Sequence, residues 1–241
     1  MKIESIKIQL DSKIQELTLS TDDSKNLNFI IGDNGSGKTR TFNEIKSYFL
    51  NQNTCSEIEI KLTNGRVQHP NLMFVGEGDS IIRNLFENKK FSDEERAKIE
   101  VKANEILREF QIFEKIASLR FKNEKIIPIN KHGLQVMCAA SEQHIVFLAS
   151  LIALIDVIEP NLPLILDGPF HLVSRKYRLK TMEILCKNVN QVLVFLTNVE
   201  FYGVFTESLD APISSVQTFV KEKNMLGSLY FLRNNDFEKH D

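Results

Sequence analysis

The sequence predicts an α/β fold, and three observations lead to that prediction. An apolar run, Leu27–Ile31, is followed at once by a glycine-rich loop and then by apolar residues at helical spacing. Beyond that point strand-like and helix-like stretches alternate, as they do when helices cover both faces of a sheet. A second apolar run, LPLIL at residues 162–166, ends on Asp167. Such continuous runs are typical of strands buried inside a parallel sheet.

The glycine-rich loop has the pattern of a nucleotide-binding P-loop, in which Gly32 precedes Gly37, Lys38 and Thr39 by four intervening residues. Glycines allow the tight turn, and backbone N–H groups with the positive end of the next helix attract phosphate. The lysine of this motif reaches the β- and γ-phosphates, and the hydroxyl holds Mg²⁺. The alternative is a glycine-rich turn without a ligand. The residues predicted to contact ATP phosphates are Gly32, Asn34, Gly35, Ser36, Gly37, Lys38, Thr39 and Arg40.

Size and composition favour one soluble domain spanning residues 1–241. The net charge of −2 excludes a surface that is basic throughout, although a local basic face stays open. The three cysteines are far apart and fit no metal spacing, which favours a reducing compartment. The N-terminal residues lack the apolar core of a signal peptide, and the longest apolar run, Ile145–Ile155, is too short for a bilayer. We therefore expect a cytoplasmic protein with no membrane partner.

The first half of the chain predicts a β region, the P-loop helix and a helical insertion. Residues 2–10 and 13–19 alternate apolar and polar side chains, which predicts a hairpin. The P-loop helix is expected over 37–50, and two strands, 56–62 and 72–75, are assigned to a small antiparallel region. Ser92 is the predicted N-cap of a helix whose apolar positions recur from Ile99 to Phe113.

The second half predicts alternating strands and helices. After a strand at 126–129, Ser141 is the expected N-cap of an apolar, buried helix that ends near Ile158. A helix at 174–187 and a strand at 191–196 follow the Asp167 strand, and two terminal strands are expected near 214–221 and 228–233. The predicted segments of the domain are 1–78 with the P-loop, 79–130 as the helical insertion, and 131–241.

Asp167 is the second candidate site residue. A carboxylate at the end of a buried strand can hold Mg²⁺ in the manner of a Walker B aspartate. The alternative is a cap on the turn that begins at Gly168-Pro169.

Cys138–Gln143, the apolar helix after it and the Asp167 strand resemble the signature and Walker B regions of ABC-type ATPases. The resemblance is closest to the SMC, RecF and DNA double-strand-break repair branch, and it covers roughly residues 1–235. It implies a P-loop NTPase fold of the ABC ATPase head type, with an antiparallel β lobe and a short helical insertion. It also implies ATP and Mg²⁺ as cofactors, with Thr39 and Asp167 on the metal and Lys38 and Asp167 in catalysis.

The family resemblance further implies a homodimer. Heads of this type sandwich two ATP molecules head to tail, so Ser141 and Glu142 of one copy are expected to act on the nucleotide of the other. A nuclease or other effector subunit is implied as a partner. The basic runs at 89–90, 122–131 and 175–180 leave DNA open as a further partner.

The sequence departs from the family pattern at positions that bear on chemistry. Ala139 stands where the signature has a serine, and Gly168 stands where many relatives have the glutamate that polarises the attacking water. Ser174 replaces an aspartate, and Asn198 occupies the position of the switch histidine. For the glutamine that links Mg²⁺ to the inserted lobe, the candidates are Glu77 and Gln68.

These departures predict an ATPase that binds ATP, dimerises and hydrolyses slowly, because general-base assistance is worth about 10²–10⁴-fold in rate. The resemblance implies action in DNA repair or anti-phage defence. The first alternative is a regulatory module in which ATP occupancy alone closes the dimer. The second is the ATPase subunit of a transporter, against which the same departures count more heavily.

Overall fold

The computed structural model describes residues 2–10, 13–19, 21, 26–49, 57–63, 73–75, 90–110, 115–122, 125–170, 173, 175–205, 213–224 and 227–235. The chain divides into two units. Unit 1 comprises Met1–Glu77, Leu162–Pro169 and Asn190–Asp241. Unit 2 comprises Gly78–Asn161 and Phe170–Val189. The segments predicted from the sequence, 1–78, 79–130 and 131–241 in one domain, stay a prediction.

The larger sheet of unit 1 has six strands, and two of them end on the predicted site residues Gly32 and Asp167. Its strands are β3 (Leu27–Gly32), β5 (Met73–Val75), β8 (Leu164–Asp167), β9 (Val192–Thr197), β10 (Ile213–Asn224) and β11 (Gly227–Asn235). The order is β11-β10-β3-β9-β8-β5. All neighbours are parallel except β10 and β11, which form an antiparallel pair. This arrangement confirms the α/β fold class.

Burial of the central strands explains their composition. Every residue of β3 is buried, as are the first five residues of β9. Helix α1 (Lys38–Phe49) buries Phe42 and Ile45, and the Phe42 ring meets Phe195 of β9 edge to face at 6.1 Å. An edge-to-face contact of this kind stabilises the pair by more than the burial of the two rings alone.

The smaller sheet of unit 1 is antiparallel, as the sequence predicts. Strand β1 (Ile3–Leu10) lies between β2 (Lys13–Thr18) and β4 (Ile58–Leu62). The buried side chain of Gln191 links β1 to the chain just before β9. Its Oε1 accepts from the Ile3 N–H at 2.8 Å, and its Nε2 donates to the Ile3 carbonyl at 2.9 Å.

One strand was assigned to the wrong sheet. The sequence prediction placed residues 72–75 in the antiparallel region, whereas β5 pairs in parallel with β8 at the edge of the six-stranded sheet. The physical reason is visible in the sequence, because Leu-Met-Phe-Val is continuous rather than alternating in hydrophobicity. Continuous runs suit parallel sheets, and alternating runs suit sheets with one solvated face.

The described residues of unit 2 form three helices and a hairpin. The helices are α2 (Asp93–Phe110), α3 (Ala140–Ile158) and α4 (Arg175–Asn188), and the hairpin joins β6 (Ser118–Lys122) to β7 (Lys125–Ile129). Ser92 caps α2 as predicted. Its Oγ accepts from the Glu95 N–H, and the Glu95 carboxylate accepts from the Ser92 N–H. The predicted Phe113 lies outside the described residues.

Helix α2 closes the free edge of strand β6 with side chains. The Asn104 amide donates to the Leu119 carbonyl and accepts from the Leu119 N–H, both at 2.8 Å. The Glu100 carboxylate accepts from the Phe121 N–H at 2.8 Å. Strand β6 was absent from the sequence prediction, and these contacts supply the backbone partners that a two-stranded hairpin lacks on its outer side.

Helix α3 is the apolar helix of the sequence prediction. Its length and composition would also suit a membrane span, but 56% of its most apolar window is buried inside the protein. Its N-cap differs from the prediction, because Ala139 and not Ser141 precedes the first helical residue. The Glu142 carboxylate accepts from the Ala139 N–H at 2.8 Å, so Glu142 satisfies the helix start without a hydroxyl at the cap.

Candidate nucleotide-binding site

The P-loop joins β3 to α1 within unit 1 and has the shape that its glycines predict. Gly35 and Gly37 adopt positive φ angles of 78° and 97°. Side chains other than glycine rarely adopt this region, so these two positions fix the loop's course. The Ser36 N–H donates to the Asp33 carbonyl at 3.1 Å, and the Thr41 N–H donates to Gly37 at 2.9 Å as the helix begins. The loop therefore turns tightly and leads directly into the first turn of α1.

Lys38 closes this loop from inside. Its buried ammonium donates to the carbonyls of Gly32 at 2.8 Å and Asp33 at 2.9 Å, and to Ser36 Oγ at 3.3 Å. The ammonium is therefore held by the first residues of the loop. A phosphate oxygen placed there would accept a charge-assisted hydrogen bond.

The electrostatics of Lys38 are balanced between burial and nearby acids. Burial lowers the pKa of Lys38 below its usual value. The negative charges of Asp167, Glu200 and Asp33 oppose that shift and raise the same pKa. The charges of three carboxylates therefore act on the lysine, and an anionic ligand would compete with them for its charge.

Asp167 lies at the end of β8 and is a buried residue, with 7% exposure. Thr39 is the second residue of α1 and is exposed. Hydroxyl and carboxylate oxygens are hard ligands of the kind that Mg²⁺ prefers, and Mg²⁺ usually takes one or two protein oxygens with phosphates and waters. The donor set of Thr39 and Asp167 therefore fits Mg²⁺. Within the described residues no three His, Cys, Asp or Glu side chains gather as a metal cage.

The end of β9 brings further polar groups to the same loop. Thr197 pairs in register with Gly32, so the parallel strands β3 and β9 end at the same level. Asn198 begins helix α5 (Asn198–Phe205) and donates from Nδ2 to Asp33 Oδ1 at 2.6 Å. Glu200 accepts from the Thr197 N–H and hydroxyl, each at 2.9 Å.

Solved structures provide a test of the fold. An SMC head domain from Thermotoga maritima superposes with a TM-score of 0.60 over 98% of this chain and 100% of that chain, at 13% identity. An SMC head bound to the C-terminal winged-helix domain of ScpA gives 0.63, with 96% and 98% covered and 11% identity. An SMC head with an extended coiled coil, bound to the C-terminal domain of ScpA from Pyrococcus furiosus, gives 0.62 at 10% identity, with 96% of each chain covered.

The chain has the fold of an SMC head domain. That finding confirms the predicted resemblance and the P-loop NTPase fold class. No protein-family model matches the sequence, and no curated protein is significantly similar to it. The SMC-head likeness is thus a likeness of fold at very low sequence identity.

Within this fold the predicted site residues fall into two groups. Unit 1 carries the P-loop residues, Asp167 and Asn198. Within that group Asn34 and Arg40 are exposed, whereas Ser36 is buried. Unit 2 carries Ser141 and Glu142, both half-buried in the first turn of α3, of which Glu142 caps that helix. Gln68, Glu77 and Ser174 lie outside the described residues. The roles assigned to all these residues stay predictions.

Two residues near Lys38 were missed by the sequence analysis, Asp33 and Glu200. Glu200 had a readable signal, since Thr197 and Glu200 are spaced as a capping box directly after an apolar strand. Asp33 lies inside the P-loop motif, but its contact with Asn198, 165 residues away, leaves no local pattern.

Proposed function

We propose that the chain is an ATP-binding ATPase head that dimerises on ATP and hydrolyses it slowly. The observation that supports this most is the cradle itself. A buried lysine donates to the carbonyls of a loop with two positive-φ glycines, and it interacts with the charge of Asp167, which is buried at the end of a nearby parallel strand. Such a cradle suits a polyphosphate with Mg²⁺.

In this proposal each residue has a defined task. Lys38 exchanges its hydrogen bonds to loop carbonyls for bonds to the β- and γ-phosphates, and the loop N–H groups bind the same oxygens. Thr39 and Asp167 would hold Mg²⁺, which neutralises charge that develops on the phosphates when it is bound. Gly168 offers no carboxylate to an attacking water, which is the reason for expecting slow turnover.

The dimer is head to tail, with Ser141 of one copy against the nucleotide of the other. The N–H groups in the first turn of a helix attract anions, which supports a phosphate contact at the start of α3. Ala139 removes one hydroxyl that the family pattern would supply there. Two of the three SMC heads above are bound to ScpA domains. By analogy we propose that this head also works beside a partner subunit, in DNA repair or anti-phage defence and in the cytoplasm, with DNA a further candidate ligand.

A complementation experiment tests the dimer. Lys38→Ala removes the lysine from a site, and Ser141→Arg places a bulky cation at the start of α3. In a head-to-tail dimer, mixing the two variants leaves one intact composite site per pair. We expect each variant alone to lack ATP-dependent dimerisation and turnover, and the mixture to recover part of both. Light scattering and phosphate release measure the two quantities.

Gln9→Arg is the matched control for the charge change, since Gln9 is exposed on the small sheet. It should dimerise and turn over like the wild type. Equal activity in all variants, or a mixture no better than its components, would contradict the composite site.

A second candidate is a regulatory module that closes on ATP without hydrolysis. The substitutions Gly168 and Asn198 favour it, because both replace groups that act on the attacking water or the γ-phosphate in the family pattern. Dimerisation with ATP together with no phosphate release over hours would select this candidate.

A further inference from the structure

One carboxylate and one amide lie beside the P-loop, at the level where the central strands β3 and β9 end. Gly32 of β3 pairs with Thr197 of β9, so the next residue of each strand, Asp33 and Asn198, leaves the sheet at the same level. The Asn198 amide donates to the Asp33 carboxylate at 2.6 Å. A short bond from a side chain on a neighbouring element fixes the direction in which that carboxylate points.

The backbone of Asp33 is fixed as well. Its carbonyl accepts from Lys38 Nζ at 2.9 Å and from the Ser36 N–H at 3.1 Å. Because Lys38 is the residue proposed to reach the γ-phosphate, these bonds place the Asp33 backbone next to the group that would bind that phosphate. Asp33 is exposed, so water reaches it.

The other two carboxylates near Lys38 have different surroundings. Asp167 is buried at the end of β8, where the proposed function assigns it to Mg²⁺. The Glu200 carboxylate accepts two hydrogen bonds from Thr197, while the Glu200 N–H donates back to the Thr197 hydroxyl at 3.1 Å. That reciprocal pattern is a capping box that starts α5. Of these three carboxylates, Asp33 is therefore the one that is exposed and oriented by the side chain of Asn198.

We propose that Asp33 is the carboxylate that orients the attacking water in ATP hydrolysis, and that Asn198 is its positioning residue. This inference rests on the proposed function. A carboxylate base aligned by a third group is a recurring arrangement for activating a nucleophile. It supplies from the P-loop part of the base function that Gly168 cannot supply from the end of β8, so turnover is still expected to be slow. It also assigns Asn198 a positioning role where the family pattern has a histidine.

The chemical step balances without any further reagent. The water oxygen bonds to the γ-phosphorus while one of its protons passes to the Asp33 carboxylate. The bond between the γ-phosphorus and the bridging oxygen breaks, and its electron pair leaves with ADP. The proton then passes from Asp33 to the inorganic phosphate or to solvent.

Single-turnover hydrolysis of ATP labelled at the γ-phosphate, with the full chain in excess and Mg²⁺ present, tests the assignment. Asp33→Asn keeps the side chain's size and removes its basicity, so the rate should fall by about 10²-fold or more. Affinity for a non-hydrolysable ATP analogue, measured on the same samples, should stay within about threefold of the wild type or become tighter. Asn198→Ala should lower the rate with the same small effect on affinity.

Glu105→Gln is the matched control, because it makes the same carboxylate-to-amide change at an exposed position of α2 that the proposal gives no role. It should turn over within about threefold of the wild type. Asp33→Asn hydrolysing at the wild-type rate, or Glu105→Gln losing as much as Asp33→Asn, would overturn the assignment. So would loss of analogue binding in Asp33→Asn, since the residue would then shape the cradle and not the chemistry.

The binding measurement separates this inference from the proposed function. A wild-type chain that binds the analogue but shows no turnover over hours would overturn the role of Asp33 and leave the ATP-binding switch intact. A wild-type chain that binds no analogue would overturn both.

Discussion

Replacing Gln191 with leucine should destabilise unit 1 strongly, because the Gln191 amide is the partner of two buried backbone groups. Gln191 and Ile3 are each 1% exposed, and the amide both accepts from the Ile3 N–H and donates to the Ile3 carbonyl. Leucine fills a similar volume but leaves those two groups in the interior without these bonds. An unsatisfied buried group costs about 1–3 kcal/mol, so the two together cost about 2–6 kcal/mol.

That cost is a large part of a total stability of about 5–15 kcal/mol. Urea unfolding followed by circular dichroism measures it, with an unchanged slope showing that the unfolded surface is the same. Gln9→Leu is the control, since Gln9 is exposed and its replacement should change stability by no more than about 0.5 kcal/mol. A Gln191→Leu protein destabilised by less than about 1 kcal/mol would refute the reasoning, and with it the view that this amide joins β1 to the chain entering β9.

Two further predictions concern unit 2. Ser92→Ala should lower the free energy of unfolding by about 1 kcal/mol in the same urea assay, because it removes the side-chain cap of α2. Ser92→Thr retains a capping hydroxyl and should lower it much less. Equal losses of stability in the two variants would show that the cap contributes nothing. Burial raises the pKa of the Cys186 thiol to about 12, so only about 10⁻⁴ of it is thiolate at pH 8. Alkylation of Cys186 by iodoacetamide at pH 8, followed by peptide mass spectrometry, should therefore be at least about 100-fold slower in the native protein than in urea, and similar rates would contradict the burial.

Local signals in the sequence predicted much of unit 1. The P-loop, the apolar strands that became β3, β8 and β9, and the alternating hairpin of β1 and β2 each carry their own pattern within a few residues. Parallel neighbours at the centre of a sheet are buried on both faces, which is the reason their runs are continuous. The order of these motifs was enough to identify the SMC-head resemblance despite identities of 10–13% to the solved heads.

The remaining features depend on contacts between residues far apart in the chain. The three residues of β5 belong to the six-stranded sheet because they pair with β8. The outer edge of strand β6 is hydrogen-bonded by Asn104 of α2. The N-cap of α3 was predicted at Ser141 because hydroxyl side chains favour that position. The capping bond comes instead from Glu142, inside the first turn, and the N-cap residue is Ala139. The Asp33–Asn198 contact joins positions 165 residues apart and leaves no local pattern.

Titration of a non-hydrolysable ATP analogue with Mg²⁺ into the full-length chain, followed by calorimetry, tests the central proposal of nucleotide binding most directly. The wild type should bind one analogue per chain, and Lys38→Ala should weaken binding by tenfold or more, because a hydrogen bond to a charged group contributes about 1.5–3 kcal/mol. Lys90→Ala, at an exposed position of unit 2, should bind like the wild type. Equal affinity in the wild type and Lys38→Ala, or no binding by the wild type, would contradict the proposal.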